Sequence, residues 1–174
     1  RQVHAGGDAD LFADEVDALY RARALARSLE LSFEIAGGSS QWIEVDGLKL
    51  RQIVNNLVSN AIKFTVRGSV RLNARVERRG GPDGDALVVS VSDTGIGIPE
   101  HEMADIFKRF HRVRGARART VEGSGIGLAI VDDLVKRLGG QLRARSKENE
   151  GTEFTIWIPY KSLRVKAGPP DVPG

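Results

Sequence analysis

Not one cysteine occurs in the 174 residues, so neither a disulfide framework nor a thiolate metal site can be built; a reducing compartment fits this. No apolar run approaches the ~20 residues a membrane helix needs, and no charged-then-apolar leader opens the chain. A cytoplasmic setting without direct membrane contact is the expectation. A basic stripe is missing as well: 26 basic residues against 23 acidic leave a net charge of only +3, and they are scattered, which gives a nucleic-acid role little support. Gly-Lys-Ser and Gly-Lys-Thr do not occur, so there is no Walker loop, and no internal repeat is visible. What remains is 41% hydrophobic residues in a length that suits one substantial domain.

Apolar residues at Leu11, Phe12, Val16, Leu19, Tyr20 and Leu25 predict an amphipathic helix from Asp8 to Leu29. Leu31 to Ala36 and Trp42 to Val45 read as short strands around a glycine-serine turn, and Asp46 stands where a helix N-cap belongs. Leu48, Ile53, Leu57 and Ala61, with Leu50, Val54, Val58 and Ile62 beside them, predict a second helix to about Phe64, ended by Gly68. Strands follow at Ser69 to Val76 and Leu87 to Ser92, joined by a polar hairpin tip, then a short helix over 100–110. The stretch 111–125 has no periodicity. A third long helix covers Ile126 to Leu138 and stops at Gly139-Gly140, before strands at Gln141 to Ser146 and Glu153 to Ile158. Trp42, Trp157, Phe12 and Phe33 are expected in the core. The tail from Lys161, rich in proline, is expected to lack fixed structure.

Two glycine runs carry the chemistry. Asp93-Thr94-Gly95-Ile96-Gly97-Ile98-Pro99 follows a strand, where a fixed carboxylate can accept a hydrogen bond from an exocyclic amine such as that of adenine. Gly123-Ser124-Gly125-Ile126-Gly127-Leu128 runs into a helix whose amides can face phosphate. On the second helix Asn56, Asn60 and Lys63 fall within about 60° of one another, a face suited to a hydrated divalent cation and phosphate oxygens, although taken alone it also reads as a polar solvent face. A dinucleotide fingerprint is excluded because the second run comes late and lacks the parallel strand-helix-strand unit.

The ordered set Asn56-Leu57-Val58-Ser59-Asn60-Ala61-Ile62-Lys63-Phe64, Asp93 to Pro99, Phe107-Lys108-Arg109-Phe110 and Gly123 to Leu128 resembles the catalytic, ATP-binding domain of sensor histidine kinases, from about Phe12 to Pro159. These match that family's N box, two glycine boxes and F box. The resemblance implies a two-layer α/β sandwich, a mixed sheet of about five strands covered by three helices, spanning 11–160 with a linker remnant at 1–10 and a flexible tail at 161–174. It implies ATP and Mg²⁺ as cofactors. Asn60 would ligate the metal, Asn56 and Lys63 would assist at the cation and phosphates, and Phe64 would border the nucleotide. Asp93 would bind the adenine amine, with Gly95, Gly97 and Ile98 close to the base and Thr152 supporting it. Gly123, Gly125, Gly127 and Leu128 would form the lid hinge and phosphate amides, and Arg112 would reach the γ-phosphate, with Arg109 a weaker candidate.

The family transfers the γ-phosphoryl group to a histidine on a separate dimerisation helix pair. None of His4, His101 and His111 suits that role: His101 reads as a surface residue at the site's rim. The expected partners are therefore an acceptor-histidine domain and a response regulator, and the isolated domain is expected to be monomeric. Related ATPases such as gyrase carry Glu where Asn56 stands, as the base that activates water, which asparagine cannot be. Sigma-factor serine kinases share the superfamily, and a catalytically silent docking module is the reading from a different class. Asp132 and Asp133, neighbours on a helix, point about 100° apart and read as surface.

Overall fold

The computed structural model describes residues 2–4, 7–35, 42–77, 85–108 and 127–162. Strand β1 (Gln2–His4) precedes helix α1 (Gly7–Ala26), followed by β2 (Glu30–Ile35), β3 (Trp42–Glu44) and α2 (Gly47–Phe64). Then come β4 (Ser69–Glu77), β5 (Ala86–Asp93), a 3-10 turn at Glu100–Asp105, α3 (Gly127–Arg137), β6 (Gln141–Lys147), β7 (Gly151–Pro159) and β8 (Lys161–Ser162). Five strands form a mixed sheet in the order β2-β4-β5-β7-β6, parallel only between β2 and β4. This is the expected two-layer α/β arrangement.

Period-2 alternation decides which side of that sheet the helices cover. Leu31, Val70, Leu72, Val89, Val91, Phe154, Ile156 and Ile158 are buried on one side with Ile53, Leu57, Val58, Val131 and Val135 of α2 and α3. Asp46 caps α2 as the sequence predicts: its carboxylate accepts from the Lys49 backbone N–H at 3.2 Å. Seven of the eight positions of the predicted apolar stripe of α2 face the core, but Leu48, in the first turn, is 70% exposed. At 100° per residue it lies about 140° from Ala61, near the middle of the buried arc, and so falls off the stripe. The helix ends at Phe64, and Gly68, four residues on, instead takes φ +111° to turn the chain into β4.

Three features depart from the sequence reading. The strands on either side of 36–41 do not pair: β2 joins β4, while β3 joins β1 and β8 in a separate three-stranded sheet. That sheet gives regular backbone to residues at both ends of the chain, through Gln2↔Glu44 and Glu44↔Lys161 pairings, inside the segments expected as linker remnant and flexible tail. Trp157 is not core. It sits between Ile156 and Ile158 and so points to the opposite side of the sheet, where the Arg143 guanidinium stacks 5.0 Å from its ring centre. Phe33 does pack against the core; the side chains of Phe12 and Trp42 lie outside those described.

Candidate functional site

The inner side of the sheet changes character at one end. In the register Leu31–Val70–Asp93–Thr152–Ser146, two apolar positions on β2 and β4 give way to three polar ones on β5, β7 and β6. Asp93 has no cationic partner among the described residues. Burial pushes its carboxyl up from 3.8 to about 6, against the pull of backbone N–H groups of Gly95 and Thr152 donating to it. The Gly95 bond is 2.8 Å long. Thr152 is buried beside it, and its hydroxyl lies 2.8 Å from that of Ser146.

From Asp93 the first glycine run crosses as a strap tied on both sides. The Ile96 N–H donates to the Phe64 carbonyl at 3.0 Å, and the Ile96 carbonyl accepts from Asn149 N–H at 2.7 Å. The Ile98 N–H donates to Ser146 Oγ at 2.8 Å. A side chain on Gly95 would collide with the Phe64 carbonyl, and one on Gly97 with the Lys147 carbonyl. Gly97 also has φ +70°. Both glycines are thus demanded by the protein's own backbone: the strap wedges between the end of α2 and the β6–β7 turn. Thr94 closes its other end, accepting from Ser69 N–H at 3.0 Å and donating to the Arg67 carbonyl at 3.2 Å.

Along α2, Asn56 and Asn60 are half-buried and Lys63 is exposed, while Phe64 is half-buried at the helix end. The Asn56 amide donates to the Gln52 carbonyl at 3.0 Å, which turns its Oδ1 toward the start of α3: a Cβ on Gly127 would lie 3.5 Å from that oxygen. The side chains of Asn60 and Lys63 make no hydrogen bond or ion pair among the described residues. Leu128, one residue into α3, packs against the core, and Ile98 is buried. Arg109, Phe110, Arg112, Gly123 and Gly125 lie outside the described residues. Of the F box, Phe107 meets Phe154 edge-on with ring centres 6.1 Å apart, and Lys108 pairs with Asp105 at 2.6 Å.

No group of three His, Cys, Asp or Glu that could hold a metal occurs among the described residues. The oxygen donors on hand are the amides of Asn56 and Asn60, which suit a hard cation that also takes oxygens from phosphate and water. His101 is exposed, and Asp132 and Asp133 pair separately with Lys136 at 2.8 Å and Arg137 at 2.9 Å, as expected for surface groups. Ser146, which joins the strap to Thr152, escaped the sequence reading. The signal was present: Leu142, Ala144 and Ser146 share one side of β6, and a hydroxyl at the third of these inward positions needs partners.

A family model described as histidine kinase-, DNA gyrase B-, and HSP90-like ATPase matches residues 45–162. The autoinducer 2 sensor kinase/phosphatase LuxQ of Vibrio parahaemolyticus is 39% identical over 163 residues, covering 92% of this chain and 19% of that protein. The circadian input-output histidine kinase CikA of Synechococcus elongatus is 44% identical over 119 residues, 68% of this chain and 15% of that one. This chain therefore spans at most 19% of the length of either relative. Among solved structures, full-length ShkA in complex with AMPPNP aligns at TM-score 0.72 and 29% identity over 92% of this chain and 32% of its own. The nucleotide-free catalytic domain of histidine kinase ThkA aligns at TM-score 0.71 over 91% of this chain and 96% of its own; at 24% identity that likeness concerns the fold.

Proposed function

Because the chain belongs to the histidine kinase-, DNA gyrase B-, and HSP90-like ATPase family, as the ATP-binding catalytic domain of a histidine kinase, we propose that it loads Mg-ATP and passes the γ-phosphoryl group to a histidine on a separate dimerisation domain. The observation that carries the nucleotide site is Asp93: a buried carboxylate at the polar end of the inner sheet side, without a cation among the described residues, held by two backbone N–H groups. Its free oxygen lone pairs suit the amine of adenine, and ionisation is complete enough at neutral pH to accept from it.

The phosphates then lie toward α2 and the start of α3. Asn60 offers an amide oxygen to the metal, and Lys63 a mobile ammonium to phosphate. Magnesium held by Asn60 would supply positive charge that neutralises phosphate oxygens. Asn56 is oriented by its bond to the Gln52 carbonyl and presents its own oxygen beside Gly127. An amide cannot take a proton from water, which favours transfer over hydrolysis. The strap of Gly95, Gly97 and Ile98 keeps the base end rigid. Leu128 supports the first turn of α3, whose N–H groups face anions. Roles for Arg112 at the γ-phosphate and for Gly123 and Gly125 in a lid rest on the family resemblance.

The reading implies an acceptor-histidine domain and a response regulator as partners, with the isolated chain a monomer. Among the described residues no helix is long and apolar enough to cross a membrane. Incubating the chain with γ-labelled ATP, Mg²⁺ and a purified dimerisation domain tests it. Label on the acceptor histidine is expected; phosphate release without labelled protein would make the chain a hydrolase, and neither product a docking module.

A further inference from the structure

We propose that Ser146 is a positioning residue that fixes the direction of the Thr152 hydroxyl, making the base end of the site accept hydrogen bonds only and so selecting a 6-aminopurine over a 6-oxopurine. The proposal rests on the nucleotide reading above and deepens it: Ser146 need not touch the base.

The geometry is a counting argument. Ser146 Oγ has one proton and two lone pairs, and three neighbours at hydrogen-bonding distance: Ile98 N at 2.8 Å, the Gly151 carbonyl at 2.9 Å and Thr152 Oγ1 at 2.8 Å. The Ile98 N–H can only donate, so it occupies one lone pair. The Gly151 carbonyl can only accept, so it takes the single proton. That leaves a lone pair for the third contact, and Thr152 must therefore be the donor. With its proton committed to Ser146, the Thr152 hydroxyl has only lone pairs left. Thr152 stands directly opposite Asp93 in the β5–β7 register, on the same side of the sheet. A carboxylate and an acceptor-only hydroxyl side by side match the two N–H donors of an exocyclic amine and oppose a carbonyl oxygen. Without Ser146, the Thr152 hydroxyl is free to rotate and to donate to a carbonyl.

The test compares ADP with IDP, in which a carbonyl replaces the 6-amine and N1 gains a proton in every variant alike, by calorimetric titration of the whole chain at pH 8. Ser146→Ala is expected to narrow the ADP:IDP affinity ratio about tenfold relative to wild type, through stronger IDP binding together with weaker ADP binding, as release of one ordered hydrogen bond allows. Ser146→Thr, which restores a hydroxyl, should recover most of the ratio. In a Thr152→Val background, adding Ser146→Ala should change the ratio less than about twofold, since the hydroxyl it orients is gone. A merely structural serine would weaken ADP and IDP alike; an unchanged ratio in Ser146→Ala overturns the proposal. If that variant does not fold, Ser146→Cys, a poor hydrogen-bonding group of similar size, is read by the same ratio. Wild-type protein that takes up ADP while the variants keep its ratio removes this proposal alone, whereas wild-type protein that takes up no nucleotide removes the site reading and the proposal with it.

Discussion

Replacing Asp93 by asparagine should stabilise the free protein at neutral pH while it abolishes nucleotide affinity. Burial raises the folded-state carboxyl from 3.8 to about 6. The stabilising contribution therefore belongs to the protonated form: it is full below 3.8 and is lost as pH rises through about 6. At pH 7.5 the folded state bears the whole cost of the charge, and the displacement from 3.8 to about 6 corresponds to about 3 kcal/mol. Asparagine removes the charge and keeps one acceptor for the Gly95 N–H. Its amide nitrogen replaces one of the two acceptor oxygens that face the Gly95 and Thr152 N–H groups, which returns roughly 1–2 kcal/mol. The net expectation is a gain of about 1–2 kcal/mol, or a midpoint of thermal unfolding higher by roughly 3–6 °C for a domain of this size. Scanning wild type and Asp93→Asn at pH 7.5 and pH 4.5 reads it directly. The gain should vanish or reverse at pH 4.5, where wild type is largely protonated. An equal destabilisation at both pH values would refute the idea that a buried charge is being held at a cost for ligand binding.

The same carboxyl makes ADP affinity fall as pH drops through about 6, because the charged carboxylate is a far stronger acceptor for the amine than the protonated carboxyl; about tenfold weaker binding at pH 5 than at pH 7.5 is expected by calorimetry. A flat profile would exclude Asp93 from base recognition. Gly97→Ala places a side chain at φ +70° against the Lys147 carbonyl, and should cost about 2–4 kcal/mol in urea unfolding. A loss under about 0.5 kcal/mol would mean that the strap is not wedged as described. Asn60→Ala should erase most of the gain in ATP affinity that Mg²⁺ brings while leaving metal-free ADP affinity within about twofold, since only the cation's ligand is removed. Equal losses with and without Mg²⁺ would assign Asn60 to packing instead.

How much of this was legible in the chain depends on the range of the interaction. Helix α2 announced itself through a local apolar stripe and the Asp46 cap, the β4–β5 pair through alternation on either side of a polar hairpin tip, and β6 and β7 as strands through their own alternation. The parallel β2–β4 pairing and the sheet that joins Gln2, Ile43 and Ser162 depend on contacts across long stretches of sequence, and no local pattern encodes a partner. Trp157 misled because hydrophobicity alone does not say which side of a strand a ring occupies; its neighbours Ile156 and Ile158 settle that. Asp93, Asn56 and Gly127 were visible as motif residues. The reasons for Gly95 and Gly97 were not, because the carbonyls they must clear belong to Phe64 and Lys147. Ser146 stood on an inward position of β6, but its link to the strap was hidden for the same reason: Ile98 lies 48 residues away, while Gly151 and Thr152 are close in sequence.

The most direct measurement is a calorimetric titration of ATP, with and without Mg²⁺, into wild type and Asp93→Asn. One site per chain that Mg²⁺ strengthens in wild type, and that is lost in the variant although its fold survives, is the predicted result. No heat of binding in wild type up to millimolar ATP, or the same affinity in both proteins, would contradict it.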